Sequence, residues 1–497
     1  MNSSLQAAIA AHRFGLGEAQ LDSMVSGDPR SWLRSQIGPA DAQVSSSGTA
    51  LPTAADGLRR YAEFVQQRKQ RRNAESMNAE SMKEAMSTEQ QFGEHFRALV
   101  QADTRARMTT AALTQRPFPE RLALFWANHF TVSMAKASAR GLVGAFEREA
   151  IRPHVAGRFE DLLRAAVMHP AMLRYLDNEQ SAGPHSRVVQ QRARAAGRND
   201  DPQGPRITGL NENLAREVLE LHTLGAAASR AGVYTQADVT AFAAVLTGWR
   251  VPIYAYAPDM APARRFAAGQ PQSPLGDASP TRFEPLWHEP GTKTVLGQRI
   301  AEGSDGLSQV LHMLARHPAT ATHLATKLAR HFVADEPSPA LVDRLAQAFR
   351  NSNGDLPSVY RVLIDAPEAW AEAPAKLKSP EEMVLSSARV LRLGAKAFER
   401  QPDGGTSLLG QRVQAAPSPA GWPDAAAEWL GPDAVWKRVE WATRVADRLG
   451  TQIDARALAA SSLGPLLSAN TAKQIERAAD GSQALALLLL SPEFQRR

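Results

Sequence analysis

One predicted helix carries acidic and amide side chains at a spacing that suits metal binding or acid–base chemistry. At 3.6 residues per turn, Asn213, Glu217 and Glu220 fall on one face, and Arg216 lies beside them. Two carboxylates one turn apart can bind a divalent cation or exchange protons with a substrate. The alternative is a structural network, because Arg216 and Glu220 have the spacing of a routine i, i+4 ion pair. We expect Arg216, Glu217 and Glu220 to be catalytic and Asn213 to bind substrate.

A histidine within an aromatic string is the second candidate. Asn128 and His129 lie inside the sequence Phe125-Trp126-Ala127-Asn128-His129-Phe130. A histidine beside aromatic rings can have a shifted pKa and can serve as a general base or a metal ligand. The alternative is a core histidine that donates to a backbone carbonyl. The sequence predicts a catalytic role for both polar residues.

A proline–glycine turn brings three further polar residues close together. His288, Glu289 and Lys293 flank Pro290-Gly291, and loops of this kind often carry binding sites. Lys293 could hold a phosphate, sulfate or carboxylate group of a substrate. The segment is not a P-loop, because it lacks the upstream glycine pattern. The alternative is a turn that its own side chains tie down.

The remaining candidates are aromatic or histidine-rich. Trp422 lies between Gly421 and Pro423, where an indole can stack on a sugar or an aromatic ring, or can fill the base of a core. His323, Lys327 and His331 follow one another at i, i+4 spacing in one helical region. Most of its histidines are expected at the surface or the core boundary. Motifs of zinc proteases, serine hydrolases, P-loop proteins and kinases are absent from the sequence.

These groups are far apart in the chain, so a shared site would have to form between helices. The sequence has no cysteine, which excludes disulfides, thiolate zinc sites and iron–sulfur clusters. We therefore predict a metal site made by His129, Glu217, Glu220 and His288. Histidine and carboxylate ligands suit divalent iron, manganese or zinc.

The surrounding chain reads as an all-α, multi-helix assembly with irregular loops and at most a short β-hairpin, near Thr294-Val295-Leu296. Apolar residues recur with the helical period, and proline, glycine and serine separate the pieces. Thr235 and Asp238 have the spacing of a helix-capping box, and Gly225 is suited to end a helix. The predicted helices are 118–132, 211–224, 235–247, 318–333, 358–364, 380–393, 434–449 and 483–490.

The composition and the loop segments lead to expectations about partners, compartment and chain organisation. The net charge of +6 is small for 497 residues, and basic and acidic residues are mixed, so no nucleic-acid partner is expected. The chain lacks a signal peptide and a membrane-spanning stretch, which predicts a cytoplasmic protein unless a partner carries it out of the cell.

Residues 66–91 read as a charged insertion, 185–206 as a disordered basic loop, and 252–281 and 401–423 as further loops.

Several word-like strings occur in one order along the whole chain, and together they resemble the bacterial "domain of unknown function 1800" family. The resemblance implies one family domain over residues 1–497, a helical fold and no established activity. The strings include Ala11-His12-Arg13-Phe14-Gly15-Leu16-Gly17, Phe125-Trp126-Ala127-Asn128-His129-Phe130, His169-Pro170-Ala171-Met172-Leu173-Arg174-Tyr175-Leu176-Asp177-Asn178, Asn211-Glu212-Asn213-Leu214-Ala215-Arg216-Glu217, His288-Glu289-Pro290-Gly291-Thr292-Lys293, Gly421-Trp422-Pro423 and Leu490-Ser491-Pro492-Glu493-Phe494.

The resemblance also suggests a cell-envelope role. Members often resemble exported proteins, and their genes often neighbour one for an exported sulfatase- or phosphatase-like protein. Co-export to the periplasm with such a partner would explain the missing signal peptide. Two hypotheses follow: an enzyme with a His/carboxylate, metal-assisted site between helices, or a non-catalytic helical scaffold or escort for that partner.

Overall fold

The computed structural model describes residues 3–21, 27–45, 48–75, 88–196, 209–256 and 280–497. Over these residues the chain is α-helical, with two short antiparallel strand pairs. The all-α prediction is confirmed. The expected hairpin is present as β3 (Lys293–Val295) and β4 (Gln298–Ile300). The second pair, β1 (Trp249–Arg250) and β2 (Arg282–Phe283), was not predicted.

The helices are mostly short and are joined by tight turns. They are α1 Ser3–Ile9, α2 Pro29–Ser35, α3 Ala54–Glu75, α4 Thr88–Leu113, α5 Pro117–His129, α6 Val143–Phe146, α7 Phe159–Met168, α8 Pro170–Tyr175, α9 Arg187–Ala196, α10 Asn213–Glu217, α11 Ala226–Arg230, α12 Gln236–Leu246, α13 Ser304–Arg316, α14 Pro318–Phe332, α15 Pro339–Asn351, α16 Leu356–Asp365, α17 Pro380–Val390, α18 Pro432–Leu449, α19 Ala455–Leu463, α20 Ala469–Glu476, α21 Gly481–Leu490 and α22 Pro492–Gln495.

Local sequence signals account for many helix ends. Thr235 and Asp238 form the predicted capping box at the start of α12. Pro318 and Pro380 occupy the first turns of α14 and α17, where a missing N–H costs no intrahelical bond. Gly225 has a φ of 87°, a left-handed conformation that ends the helix before it. Each predicted helix is therefore present, with ends shifted by a few residues.

The α10 helix continues into a π-helical turn, Val218–Thr223. A wide turn of this kind shifts the backbone hydrogen bonds and often occurs at functional sites. The carbonyl groups of Leu221 and His222, near the end of this turn, accept hydrogen bonds from side chains of other helices. The turn therefore ties α10 to α5 and α14.

Two large apolar clusters form the main interior, beside two small ones. The larger draws on residues between Ile9 and Trp370, and the smaller on residues between Met383 and Phe494 together with Leu16, Met108, Ala111 and Ala112. Because α4 supplies Met108, Ala111 and Ala112 to the smaller cluster, the N-terminal third of the chain helps to build the C-terminal core. The helix α5 contributes to both clusters, since Phe125 belongs to the larger one and Leu124 packs against the smaller.

The predicted loops are only partly described. Arg187–Ala196, in the segment expected to be disordered, is the helix α9. Its Arg192 guanidinium lies 5.7 Å from the Trp287 ring centroid, a contact that sequence pattern cannot show. Most of the tandem copy in 66–91 and most of 252–281 lie outside the described residues. Among the described residues, none of the helices is long and apolar enough to cross a membrane.

Candidate functional site

A polar cleft of about 620 Å³ opens where the two apolar clusters meet. Its walls come from α5, from the C-terminal half of α14, from the start of α17 and from the loop that contains Trp422. The cleft brings together three residues predicted from the sequence, Asn128, His129 and Trp422. It also contains several charged groups that were not predicted.

The wall formed by α14 carries a row of three polar side chains. His323, Lys327 and His331 are spaced at i, i+4 and i+8, so they share one face of the helix. Lys327 and His331 line the cleft. His323 lies deeper and donates from Nε2 to the Leu221 carbonyl oxygen at 3.0 Å.

His331 is paired with a carboxylate from the opposite wall. Its Nδ1 lies 3.3 Å from Asp424 Oδ2. Burial lowers the pKa of His331, so the ring is neutral at pH 7, with Nδ1–H donating to the carboxylate. Nε2 therefore carries the lone pair, and this atom is buried without a hydrogen-bond partner among the described residues. A buried basic nitrogen without a partner can accept a proton from a group that reaches it.

Asp424 remains ionised because cations surround it. Lys376 Nζ lies 3.6 Å and Arg497 Nη2 3.8 Å from its Oδ1 atom. Burial alone would raise the pKa of Asp424, but His331, Arg497 and Lys376 outweigh burial and lower the pKa to about 2. The side chains of Lys376 and Arg497 are themselves fully buried behind the cleft wall.

Glu382 fixes the same wall from the start of α17. It forms ion pairs with Arg121 and with Arg497, whose Nε lies 2.9 Å from Glu382 Oε1. It also accepts from the Ser379 backbone N–H at 2.8 Å, which completes a capping box. Burial opposes its ionisation, but the two guanidinium groups lower the pKa of Glu382 well below its ordinary value.

A second buried network forms the far wall. Glu147 accepts from Arg107 and from Arg152, whose Nη1 lies 3.2 Å from Glu147 Oε1. Arg107 also pairs with Glu381 at 2.8 Å, and Arg152 pairs with Glu120. Each charge in this wall has an opposite partner, as buried ions require. The network joins helices and leaves none of its own charges unpaired.

Lys327 differs from the other cations of the cleft. It is half-buried, and the structure gives its ammonium group no hydrogen bond or ion pair with any described residue. Burial lowers the pKa of Lys327 to about 8, although Asp424 opposes that shift. A fraction of this amine is therefore neutral near pH 7.

His129 is a core histidine bonded to a carbonyl. Its side chain is buried against Phe125, Trp126 and Phe130, and Nε2 lies 3.1 Å from the His222 carbonyl oxygen. Burial lowers the pKa of His129 well below its ordinary value, with smaller contributions from Lys327 and nearby histidines. The ring is therefore neutral, and its Nδ1 has no partner among the described residues.

Asn128 clamps the tryptophan loop against α5. Its Nδ2 donates to the Trp422 carbonyl oxygen at 2.9 Å, and its Oδ1 accepts from the Trp422 backbone N–H at 2.8 Å. Gly421 approaches so closely that a Cβ there would lie 2.5 Å from the Asn128 carbonyl oxygen. The two hydrogen bonds place the loop, and with it Asp424, beside His331.

Replacing Asn128 with aspartate is expected to destabilise this loop. A carboxylate cannot donate to the Trp422 carbonyl, so two oxygen acceptors would face each other. We expect a loss of about 1–3 kcal/mol in the free energy of unfolding, measured by urea denaturation. The matched control is Asn213→Asp on an exposed side chain, for which we expect a change within about 0.5 kcal/mol. Equal losses of unfolding free energy in the two variants would contradict the role of Asn128 in holding this loop.

The acidic helix lies elsewhere. Glu217 and Glu220 are half-buried and have no hydrogen-bond or ion-pair partner among the described residues. Burial, and then Glu220, raise the pKa of Glu217. Arg216 pairs with Glu212 at 3.0 Å rather than with Glu220. None of these residues lines the cleft.

Asn213, the predicted substrate ligand on this helix, is exposed. Its backbone N–H donates to the Asn211 side chain at 2.9 Å, which is a local turn contact.

The proline–glycine turn is tied down by its own groups. Lys293 Nζ donates to the carbonyl oxygens of Glu289 and Gly291, and it lies 3.2 Å from His288 Nε2. His288 Nδ1 lies 2.8 Å from the Thr247 carbonyl oxygen, and its Nε2 accepts from the Gly303 N–H. Both ring nitrogens are thus occupied within the protein.

The structure does not bring the four predicted metal ligands together. Among the described residues there is no group of three or more His, Asp or Glu side chains that could hold a metal ion. His129 lies in the wall of the cleft, and its Nε2 contacts the backbone of the segment that carries Glu217 and Glu220 rather than their carboxylates. His288 is engaged in the turn around β3.

The charged residues that line the cleft were not predicted as a site, and the sequence held a signal only for the row on α14. The row His323-Lys327-His331 was visible as i, i+4 spacing, a pattern that also fits an ordinary exposed face. Asp424 follows the Gly421-Trp422-Pro423 string directly, but its pairing with His331 joins residues far apart in the chain.

Comparison with known proteins identifies the family of this chain and gives no more specific relative. No curated protein and no solved structure matches this sequence. The model of one family, described as "Protein of unknown function (DUF1800)", matches residues 9–496. Because that match covers nearly the whole chain, the protein belongs to the DUF1800 family.

Proposed function

We propose that this protein is an enzyme that transfers protons in the central cleft, with His331 as the general acid–base and Asp424 as its orienting partner. One observation carries the proposal. In the wall of a cleft, a neutral histidine donates from Nδ1 to a half-buried carboxylate, while its buried Nε2 has no partner among the described residues. The same division of roles makes a histidine an effective base in many enzymes.

The charges around this pair fit that role. Asp424 holds the ring in one tautomer and would stabilise the imidazolium that forms when Nε2 accepts a proton. Lys376 and Arg497 keep Asp424 ionised, so it stays a hydrogen-bond acceptor throughout. The low pKa of the buried His331 favours its neutral form, which is the form that acts as a base.

The size and lining of the cleft suit a small molecule. Its volume of about 620 Å³ lies in the range of about 300–1,000 Å³ that is typical of ligand sites. Phe125, Val132 and Trp422 supply apolar surface, and polar groups from several elements line the rest of the cleft. The proposal assigns the acid–base role to His331 and Asp424 rather than to Glu217 and Glu220, which lie outside the cleft.

A substrate panel tests the proposal. Aryl esters, aryl phosphates, aryl sulfates, aryl glycosides and ketones in D₂O would be offered to the wild type and to His331→Asn. The first four report hydrolysis by colour, and the ketones report α-proton exchange by NMR. We expect the wild type to convert at least one class above the background of the variant. Equal rates for the two proteins in every class would refute the proposal.

The alternative is a non-catalytic scaffold or escort for an exported sulfatase- or phosphatase-like partner, and one exposed apolar surface favours it. Leu430, Val435 and Trp436 are exposed, with 63% of Trp436 accessible. Under this alternative the protein would act in the periplasm. Stoichiometric co-purification of the partner, lost in Trp436→Asp and kept in His331→Asn, would support it. Retention in both variants would place the contact elsewhere.

A further inference from the structure

Lys327 is an amine without a partner in a cleft where the other cations are paired. It lies one turn from His331 on the same face of α14, and it lines the cleft. Arg107 and Arg121 each form ion pairs with carboxylates, and Arg330 donates to the Asp335 carbonyl oxygen. No described residue bonds or pairs with the Lys327 ammonium group, so its nitrogen is available to a ligand.

The charge balance of the cleft does not favour an anionic ligand. Four cations and seven carboxylates line it. Arg152, Lys376 and Arg497 pair with these carboxylates from behind, which brings the charges to seven of each sign. A phosphate or sulfate would therefore meet no surplus of positive charge. The lining carboxylates are Glu147, Asp335, Glu336, Glu381, Glu382, Asp424 and Glu428.

We propose that Lys327 is a nucleophile that forms a reversible imine with an aldehyde or ketone substrate in this cleft. The proposal deepens the proposed function by naming its substrate class, and it rests on that function for the proton transfers. Carbonyl compounds are the substrates that a lysine amine attacks. Phe125, Val132 and Trp422 provide apolar surface for the rest of such a molecule.

The chemical steps balance with groups that the cleft supplies. The neutral amine adds to the carbonyl carbon, and one proton of the nitrogen passes by way of His331 to the carbonyl oxygen to give a carbinolamine. His331 then takes the second proton of the nitrogen and, as the imidazolium, donates it to the hydroxyl group, so that the C–O bond breaks, water leaves and the C=N bond forms. The overall change is amine plus carbonyl to imine plus water, with no oxidant or reductant. Hydrolysis of the imine reverses the steps.

The protonation state of Lys327 supports this role. Burial lowers the pKa of Lys327 to about 8, so about 10% of the amine is neutral at pH 7, against about 0.04% for a lysine of ordinary pKa. The neutral form alone is nucleophilic. A buried lysine with a lowered pKa is a known basis for imine chemistry.

Reductive trapping tests the proposal on the wild-type protein. Benzaldehyde, a neutral aromatic aldehyde, is added at pH 7 with sodium cyanoborohydride, which reduces an imine to a stable benzylamine. Peptide mass spectrometry then gives the labelling rate of each lysine. We expect Lys327 to be labelled at least about ten times faster than the exposed Lys473 in the same sample. Labelling of Lys327 no faster than that of Lys473 would overturn the proposal.

The same experiment on His331→Asn separates this proposal from the proposed function. Slower labelling of Lys327, by about tenfold or more, would support both. An unchanged and preferential labelling of Lys327 would keep the imine and refute proton transfer through His331. Inorganic phosphate at millimolar concentration provides the last control. Strong protection of Lys327 by phosphate would show an anion site and would overturn the imine proposal.

Discussion

Replacing His331 with asparagine is expected to lower the turnover of any compound that the wild type converts by a factor of about 10²–10⁴. Asparagine can still donate a hydrogen bond to Asp424, but it has no nitrogen that accepts a proton. The orientation of the loop should therefore survive while the base is lost. The measurement is kcat for the best substrate of the panel, with the wild type and the variant at equal concentration.

His312→Asn is the matched control for this change. His312 also faces a carboxylate, Glu160, with Nδ1 3.0 Å from Oε2, but it is exposed and lies away from the cleft. We expect kcat to change by less than twofold in this variant, because the central cleft is untouched. A similar loss in both variants, or no loss in His331→Asn, would contradict the role of His331.

Replacing Glu382 with glutamine is expected to lower the free energy of unfolding by about 3–5 kcal/mol. The change keeps the shape of the side chain but leaves the buried guanidinium groups of Arg121 and Arg497 without their shared carboxylate. Urea denaturation followed by tryptophan fluorescence measures the loss. The control is Glu440→Gln, which removes an exposed pair with Arg444 at 3.8 Å and should cost less than about 0.5 kcal/mol.

The effect of Glu382→Gln should depend on pH. The folded-state pKa of Glu382 lies below its unfolded value, so the carboxylate adds stability above the unfolded pKa of about 4.3. This contribution is lost as the pH falls from about 4.3 through the lowered folded value. The difference between wild type and variant should therefore narrow below about pH 4. A difference that stays constant down to pH 3 would show that lost packing, rather than lost charge, causes the destabilisation.

The fold could be predicted where its causes are local. Helical periodicity, the Thr235–Asp238 capping box and the left-handed Gly225 depend on residues a few positions apart, and each was confirmed. The strand pair β1–β2 was missed because Trp249 and Phe283 pair across a long stretch of chain. The helix Arg187–Ala196 was missed because its composition resembles that of a solvated basic loop.

The site was harder to predict because its groups are joined by tertiary contacts. Asn128, His129 and Trp422 were identified and lie together in the cleft. Their hydrogen bonds to backbone groups, however, show that Asn128 positions a loop and that His129 binds a carbonyl. Asp424 and Arg497 carry no local signal, since what distinguishes them is their tertiary contact with His331.

Chemical rescue of His331→Ala by imidazole is a direct test of His331 as the general acid–base. The substitution removes the ring and leaves a space beside Asp424 that free imidazole can enter. We expect low activity in the variant, and we expect added imidazole to restore it in proportion to its concentration, with a pH dependence that follows the pKa of the added base. The control variant His312→Ala should keep its activity, and added imidazole should not raise it. Full activity of His331→Ala without imidazole would contradict the role of His331 in proton transfer.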